Sequence, residues 1–223
     1  MGHRDYRRFL ILSSPRCGTH MLRTSFQRHP AVVARTELFN PDRNHNEPFD
    51  DTLPAEQVLD EHVYCDYPGR VRAVGFALHR SGARIGRWPD LWRILESDPG
   101  IHVLSLRREN LLLRYLSLCL MRERNRSGLG DAFVPDPRDL DPSTLKAEFE
   151  RSERELAHVD QRFPAHPLMR LSYEQLCRDY PTQRACVERQ DPHRCRPLSS
   201  RRIPGPHKPI EPKARFSRRH RAG

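Results

Sequence analysis

Residues 9–28, FLILSSPRCGTHMLRTSFQR, run from an apolar stretch through a turn of small residues into the opening of a helix. Phe9, Leu10, Ile11 and Leu12 read as a short buried strand, and Met21, Leu22, Ser25 and Phe26 recur at helical spacing. Between them, Ser14-Pro15-Arg16-Cys17-Gly18-Thr19 forms a tight turn. Backbone N–H groups at a helix start have no intrahelical partner, so this layout points them at an oxyanion with the positive end of the helix dipole behind them. Gly18 permits close backbone approach, Ser14 and Thr19 bring hydroxyl donors, and Arg16 brings a fixed positive charge. An ordinary strand-to-helix turn at the start of an α/β domain is the plainer reading of the same residues.

Other phosphate loops fit less of the chain. A nucleotide-hydrolysing P-loop requires G-x-x-x-x-G-K-[ST], which is not found in this segment. Cys17 to Thr24 does fit a phosphatase pattern of Cys, five residues, Arg and Thr, in which a Cys17 thiolate would attack a phosphate held by Arg23. That rival explains this segment and little else.

The loop resembles that of sulfotransferases using 3′-phosphoadenosine 5′-phosphosulfate (PAPS), whose 5′-phosphosulfate loop follows a first strand and reads approximately P-[KR]-S-G-T-x-x-L. Pro15, Arg16, Cys17, Gly18, Thr19 and Leu22 match it, with Cys17 standing where the family usually has Ser. His20 lies beside the same loop.

Length and charge set the outer limits. A chain of 223 residues can hold one core of ordinary domain size. No apolar run approaches the roughly 18 residues of a membrane span, and no signal-peptide pattern precedes the first strand, so a cytoplasmic protein is expected. Six cysteines without C-x-x-C spacing suggest reduced thiols rather than a disulfide framework or a metal site. The net charge of +10 is concentrated in residues 193–223, which hold ten Lys or Arg against Glu211 and leave 29 basic against 28 acidic residues elsewhere. This Pro- and Arg-rich segment has no apolar period and reads as a disordered tail, with no specific nucleic-acid partner implied, beyond a domain of residues 1–192.

After the first helix, residues 31–34 suggest a short strand leading to Glu37. Sulfotransferases of the bacterial and carbohydrate type show a similar Glu in an E-x-F or E-L-F segment, and a carboxylate there can take the proton of an acceptor hydroxyl, making Glu37 the expected general base and His20 its substitute. The polar residues 42–67 suggest a binding lid, with residues 55–62 as one amphipathic helix. Residues 72–78 read as a second buried strand; relatives often carry G-F-K there, and Ala77 replaces the Lys. A helix over residues 88–96 closes at Asp98-Pro99-Gly100.

Residues 101–106 form an apolar, parallel-type strand followed by Arg107-Arg108-Glu109, at the end where open α/β sheets bind ligands. The next helix, residues 110–124, is expected to bury Leu111, Leu112, Tyr115, Leu116, Cys119 and Leu120 and to leave Arg114 and Ser117 on other faces. The sulfotransferase 3′-phosphate site is similar, with an Arg after a strand and a Ser eight or nine residues on; Arg108 and Ser117 are nine apart. Arg suits the task because its planar fork gives two N–H bonds to phosphate. Arg107 is the neighbour that could exchange roles with Arg108. A helix capped by Ser143 and reaching Phe163, a strand at residues 168–171 and a Y-E-x-L-like stretch at Tyr173 complete the resemblance, which ends near Asp179.

The expected fold is α/β and three-layered, with a central, mostly parallel sheet flanked by helices, similar to P-loop NTPases. The resemblance implies metal-independent, in-line sulfuryl transfer from PAPS, leaving 3′-phosphoadenosine 5′-phosphate (PAP), to a carbohydrate, lipid or small-molecule hydroxyl. Ser14, Pro15, Arg16, Cys17, Gly18, Thr19 and His20 would hold the 5′ end, and Arg107, Arg108 and Ser117 the 3′-phosphate. A degenerate binding protein with a basic tail is the non-enzyme alternative.

Overall fold

Apolar runs bounded by turn residues become strands buried on both faces when helices cover the sheet. In the computed structural model, which describes residues 2–40, 52–80, 88–127 and 140–178, the central strand is β2 (Arg7–Ser13). It pairs in parallel with β5 (Ala73–His79) on one side and β6 (Ile101–Arg107) on the other. β3 (Val32–Arg35) extends the sheet beyond β5, and β7 (Leu168–Ser172) beyond β6, in the order β3-β5-β2-β6-β7. All five strands are parallel, as the apolar runs imply.

Side chains alternate across a strand, so successive residues of β2 supply two cores. Leu10 and Leu12 join Phe76, Leu78, Val103, Leu91, Leu95, Val159 and Phe163 on one face; Phe9 and Ile11 join Leu22, Phe26, Ala77, Leu106 and Leu176 on the other. The first face is covered by α3 (Leu91–Glu96) and α5 (Pro142–Arg162), the second by α1 (Thr19–Gln27) and α6 (Tyr173–Arg178). This is the expected three-layer α/β arrangement. Gly75 makes the β2–β5 contact possible: a Cβ there would meet the Phe9 carbonyl oxygen at 2.1 Å and the Phe9 ring at 2.4 Å.

Some elements differ from expectation. The stretch expected as one helix over residues 55–62 is a short α2 (Ala55–Val58) continued by a π-helical turn, Leu59–Val63, which keeps Val58, Leu59 and Val63 buried. Asp141, rather than Ser143, caps α5: its carboxylate accepts from the N–H groups of Ser143 and Thr144, with Pro142 at the first helical position. An antiparallel ribbon of β1 (Gly2–His3) and β4 (Tyr67–Pro68) lies outside the main sheet.

The helix after β6, α4 (Leu111–Ser127), turns a different face inward. Leu112 and Leu113 are 41% and 48% exposed, whereas Arg114 is 2% exposed and Leu118 is buried. The apolar residues did not decide the face because Arg114 is compensated: it donates to Glu148 at 2.7 Å, to Ser152 and to the Pro15 carbonyl at 3.4 Å. A buried guanidinium is tolerated when a carboxylate offsets its charge this way. Burial opposes the charge on Glu148, but hydrogen bonds from Arg151 and Arg114 outweigh it and hold that carboxyl below its usual pKa.

Candidate functional site

The carboxyl end of β2 passes into the turn 14–18 and then into α1. Two residues of this turn are left-handed: Arg16 at φ 68° and Gly18, the residue preceding the helix, at φ 91°. Gly18 adopts this conformation without a steric cost, but Arg16 pays about 1–2 kcal/mol for it. Left-handed residues interspersed in a turn bring successive N–H groups to a common concave side. Among the described residues no side chain caps the start of α1, and its first turn contains no acidic residue. The exposed guanidinium of Arg16 lies at the same turn.

The other loop side chains fall into two groups. Thr19 is buried with its hydroxyl 2.6 Å from that of Ser13. Ser14 is also buried, but its hydroxyl is doubly engaged: it accepts from Arg80 at 3.2 Å and donates to Glu155 of α5 at 2.6 Å. Cys17 is 2% exposed within the apolar layer against α1, and burial pushes its thiol pKa up. His20 is exposed on α1, with Nδ1 3.4 Å from a nitrogen of Arg23.

Tyr173 connects this loop to the next strand. A Cβ on Gly18 would meet the Tyr173 ring at 2.6 Å, so the ring closes directly over the glycine. The guanidinium of Arg108 lies over the same ring, 4.6 Å from its centroid. Arg108 Nε is buried and, among the described residues, has no hydrogen-bond acceptor. Neighbouring Glu174 accepts from the backbone N–H groups of Glu109 at 3.0 Å and Asn110 at 3.1 Å, holding the segment between β6 and α4. Burial opposes the Glu174 carboxylate, but these bonds outweigh it and lower its pKa. The stretch matched as Y-E-x-L is thus a physical bridge between the two halves of the site. Arg107 turns toward Glu109, at 3.3 Å on the exposed side.

Ser117 of α4 accepts from Arg16 Nε at 2.9 Å. Residues expected at opposite ends of one ligand, Arg16 and Ser117, are therefore a single hydrogen bond apart.

Glu37 follows β3 and is 9% exposed. Its Oε1 lies 3.0 Å from His79 Nε2, and its Oε2 accepts from Asn40 at 3.1 Å. His79 ends β5 in register with Ser13, so this pair stands at the same carboxyl edge of the sheet as the loop. His79 and Arg80 lie just beyond the strand expected over residues 72–78 and are not among the expected site residues. The signal available was a His-Arg pair closing an apolar strand at the ligand-binding end of a parallel sheet.

Residues 41–51, which include most of the polar part of the expected lid, and residues 179–223, which include the basic segment, lie outside the described residues. Among the described residues no cluster of His, Cys, Asp and Glu could hold a metal ion, the cysteines are free thiols, and no helix is long and apolar enough to cross a membrane.

No family model matches the chain. It is similar to nodulation protein H of Rhizobium meliloti (strain 1021), 27% identical over 178 residues that cover 77% of this chain and 71% of that protein. Nodulation protein H of Rhizobium tropici is likewise 27% identical, over 177 residues covering 75% of this chain and 68% of its own length.

Proposed function

From a distant relationship to the sulfotransferase family, which these similarities support, we propose that the chain transfers a sulfuryl group from PAPS to a hydroxyl-bearing acceptor, a carbohydrate, lipid or small molecule. The observation carrying this reading is the convergence of two anion-binding elements, the β2–α1 loop and the β6–α4 segment, through the Arg16–Ser117 hydrogen bond. The residues fit a nucleotide with acidic groups at both ends: the start of α1 has no side-chain cap among the described residues, and Arg108 Nε is a buried donor without an acceptor there.

When bound, PAPS supplies an activated sulfuryl group on a phosphate leaving group. The loop N–H groups of residues 16–19, the Arg16 guanidinium and the Thr19 hydroxyl hold the 5′ end and neutralise the charge that grows there as the bond to sulfur breaks. Arg108 and Ser117 hold the 3′-phosphate, with Arg107 adjacent. Glu37 accepts the acceptor hydroxyl's proton, kept in position by His79 on one oxygen and Asn40 on the other. His79 orients Glu37 through this contact, whereas His20 faces Arg23.

Transfer of radiolabelled sulfuryl from PAPS to a panel of hydroxyl acceptors tests the proposal. Glu37→Gln should lower transfer at least about 100-fold while leaving PAP binding intact. Equal transfer by wild type and variant would remove Glu37 from the mechanism; no transfer to any acceptor, with PAP bound, would leave a nucleotide-binding protein. The phosphatase alternative needs a reactive Cys17 thiolate, and the burial and raised pKa of that thiol oppose it.

A further inference from the structure

Ser14 reads from sequence as a hydroxyl donor to the bound anion, yet its geometry gives it a different task. Its proton is directed at Glu155 Oε2, 2.6 Å away, and its oxygen receives Arg80. Arg80 is buried at the carboxyl ends of three adjacent strands. It follows β5 and donates to the Leu12 carbonyl of β2 at 3.4 Å, to Ser105 Oγ at 3.0 Å and to the Leu106 carbonyl of β6 at 3.5 Å. One residue further on, the Pro15 carbonyl receives Arg114, which is itself held by Glu148 and Ser152 of α5. Consecutive loop residues are thus each fastened by a buried arginine, and both fastenings lead to carboxylates, Glu155 and Glu148, two turns apart on the same face of α5. The loop they fasten contains Arg16 at φ 68°, a conformation that persists only where its surroundings over-determine it.

We infer that Arg80, Ser14 and Glu155, with Arg114 and Glu148 beside them, form a clamp through which α5 holds the anion loop in its binding conformation before any ligand arrives. Ser14 and Glu155 are positioning residues and do not touch the ligand. The inference deepens the sulfotransferase reading by naming what preorganises its loop, but the clamp can be tested without the nucleotide.

Amide hydrogen exchange of the ligand-free protein reads it directly. Ser14→Ala and Glu155→Ala should each speed exchange at Leu22, whose N–H donates to the Gly18 carbonyl of the loop at 3.1 Å, by about tenfold, the value of one strong hydrogen bond, while the protection of β2 and β6 stays as in wild type. Combining the two should add little, because they break the same bridge. Glu155→Gln is the control: it removes the charge but keeps an acceptor for the Ser14 hydroxyl, so it should preserve protection at Leu22. PAP affinity should fall by a similar factor in the two alanine variants, with Glu155→Gln near wild type. Adenosine 3′-phosphate, which has no 5′ group, should bind all variants alike.

Unchanged Leu22 exchange in Glu155→Ala, or additive effects in the double variant, would overturn the clamp. So would a loss in Glu155→Gln equal to that in Glu155→Ala, which would assign the effect to charge alone. Absence of PAP binding by the wild type would sink the donor reading and leave the exchange result to decide the clamp by itself.

Discussion

The two ends of the proposed nucleotide site are built in contrasting ways. The 5′ loop is made mostly of backbone, forced through two left-handed residues and tied to α5 and three strand ends by buried polar side chains. The 3′ end is made of side chains: Arg108 rests on the face of Tyr173, and Ser117 receives Arg16. A backbone cradle keeps its shape whether or not an anion is present, whereas side chains can exchange partners when one arrives. The difference assigns geometric precision to the end where sulfuryl would leave and recognition of the nucleotide to the other.

Substitution should separate the two. The largest loss is expected for Gly18→Ala, which strains a residue at φ 91° and drives a Cβ into the Tyr173 ring at 2.6 Å. The loop must move, and PAP affinity should drop about 100-fold in calorimetry, as expected when about 3 kcal/mol of strain enters one site. Tyr173→Ala removes the ring shared by both ends and the cation–π contact of Arg108, and should cost PAP about tenfold. If its loss fell on PAP and AMP alike, Tyr173 would serve the loop alone; a loss confined to PAP would place it with the 3′ end. Ser117→Ala should cost PAP only about three- to tenfold, the net value of one hydrogen bond, with AMP binding unchanged.

Cys17→Ser should have the smallest effect on the site. The resemblance puts Ser there in relatives, and the Cys17 side chain packs into the apolar layer rather than the open face of the loop. PAP binding should change less than about twofold, while thermal unfolding shows a loss on the order of 1 kcal/mol from the hydroxyl introduced into that layer.

Acid should act on the entry to α4. The folded-state pKa of Glu174 is lowered, so the stability gained from its bonds to the Glu109 and Asn110 N–H groups is full above the ordinary carboxylate pKa and is lost as pH falls through the folded value. Glu174→Gln should flatten that part of the acid-unfolding profile.

Much of this frame was legible from local pattern. The strands β2, β5, β6 and β7 each coincide with an apolar run, and the left-handed Gly18 stands where the turn needs a residue without a side chain. The Arg108-to-Ser117 spacing spans the end of β6 and the helix α4, and the residue found against Ser117 is Arg16. What escaped local reading was decided by partners distant in sequence. Arg114 turned inward because Glu148 and Ser152 compensate its charge from another helix. His79 became prominent only because a parallel pairing placed β5 beside β3 and Glu37 beyond it. Ser14 resembled a ligand donor until Glu155, 141 residues away, accounted for its proton.

The central claim, a site that reads both ends of PAP, is tested most directly by calorimetric titration of PAP and AMP into wild type and Arg108→Ala. The account predicts micromolar PAP binding by wild type, much weaker AMP binding, and a fall in PAP affinity of about 10- to 100-fold in Arg108→Ala, the value of a charge-assisted phosphate contact. Equal binding of PAP and AMP, or PAP binding unaffected by Arg108→Ala, would contradict it.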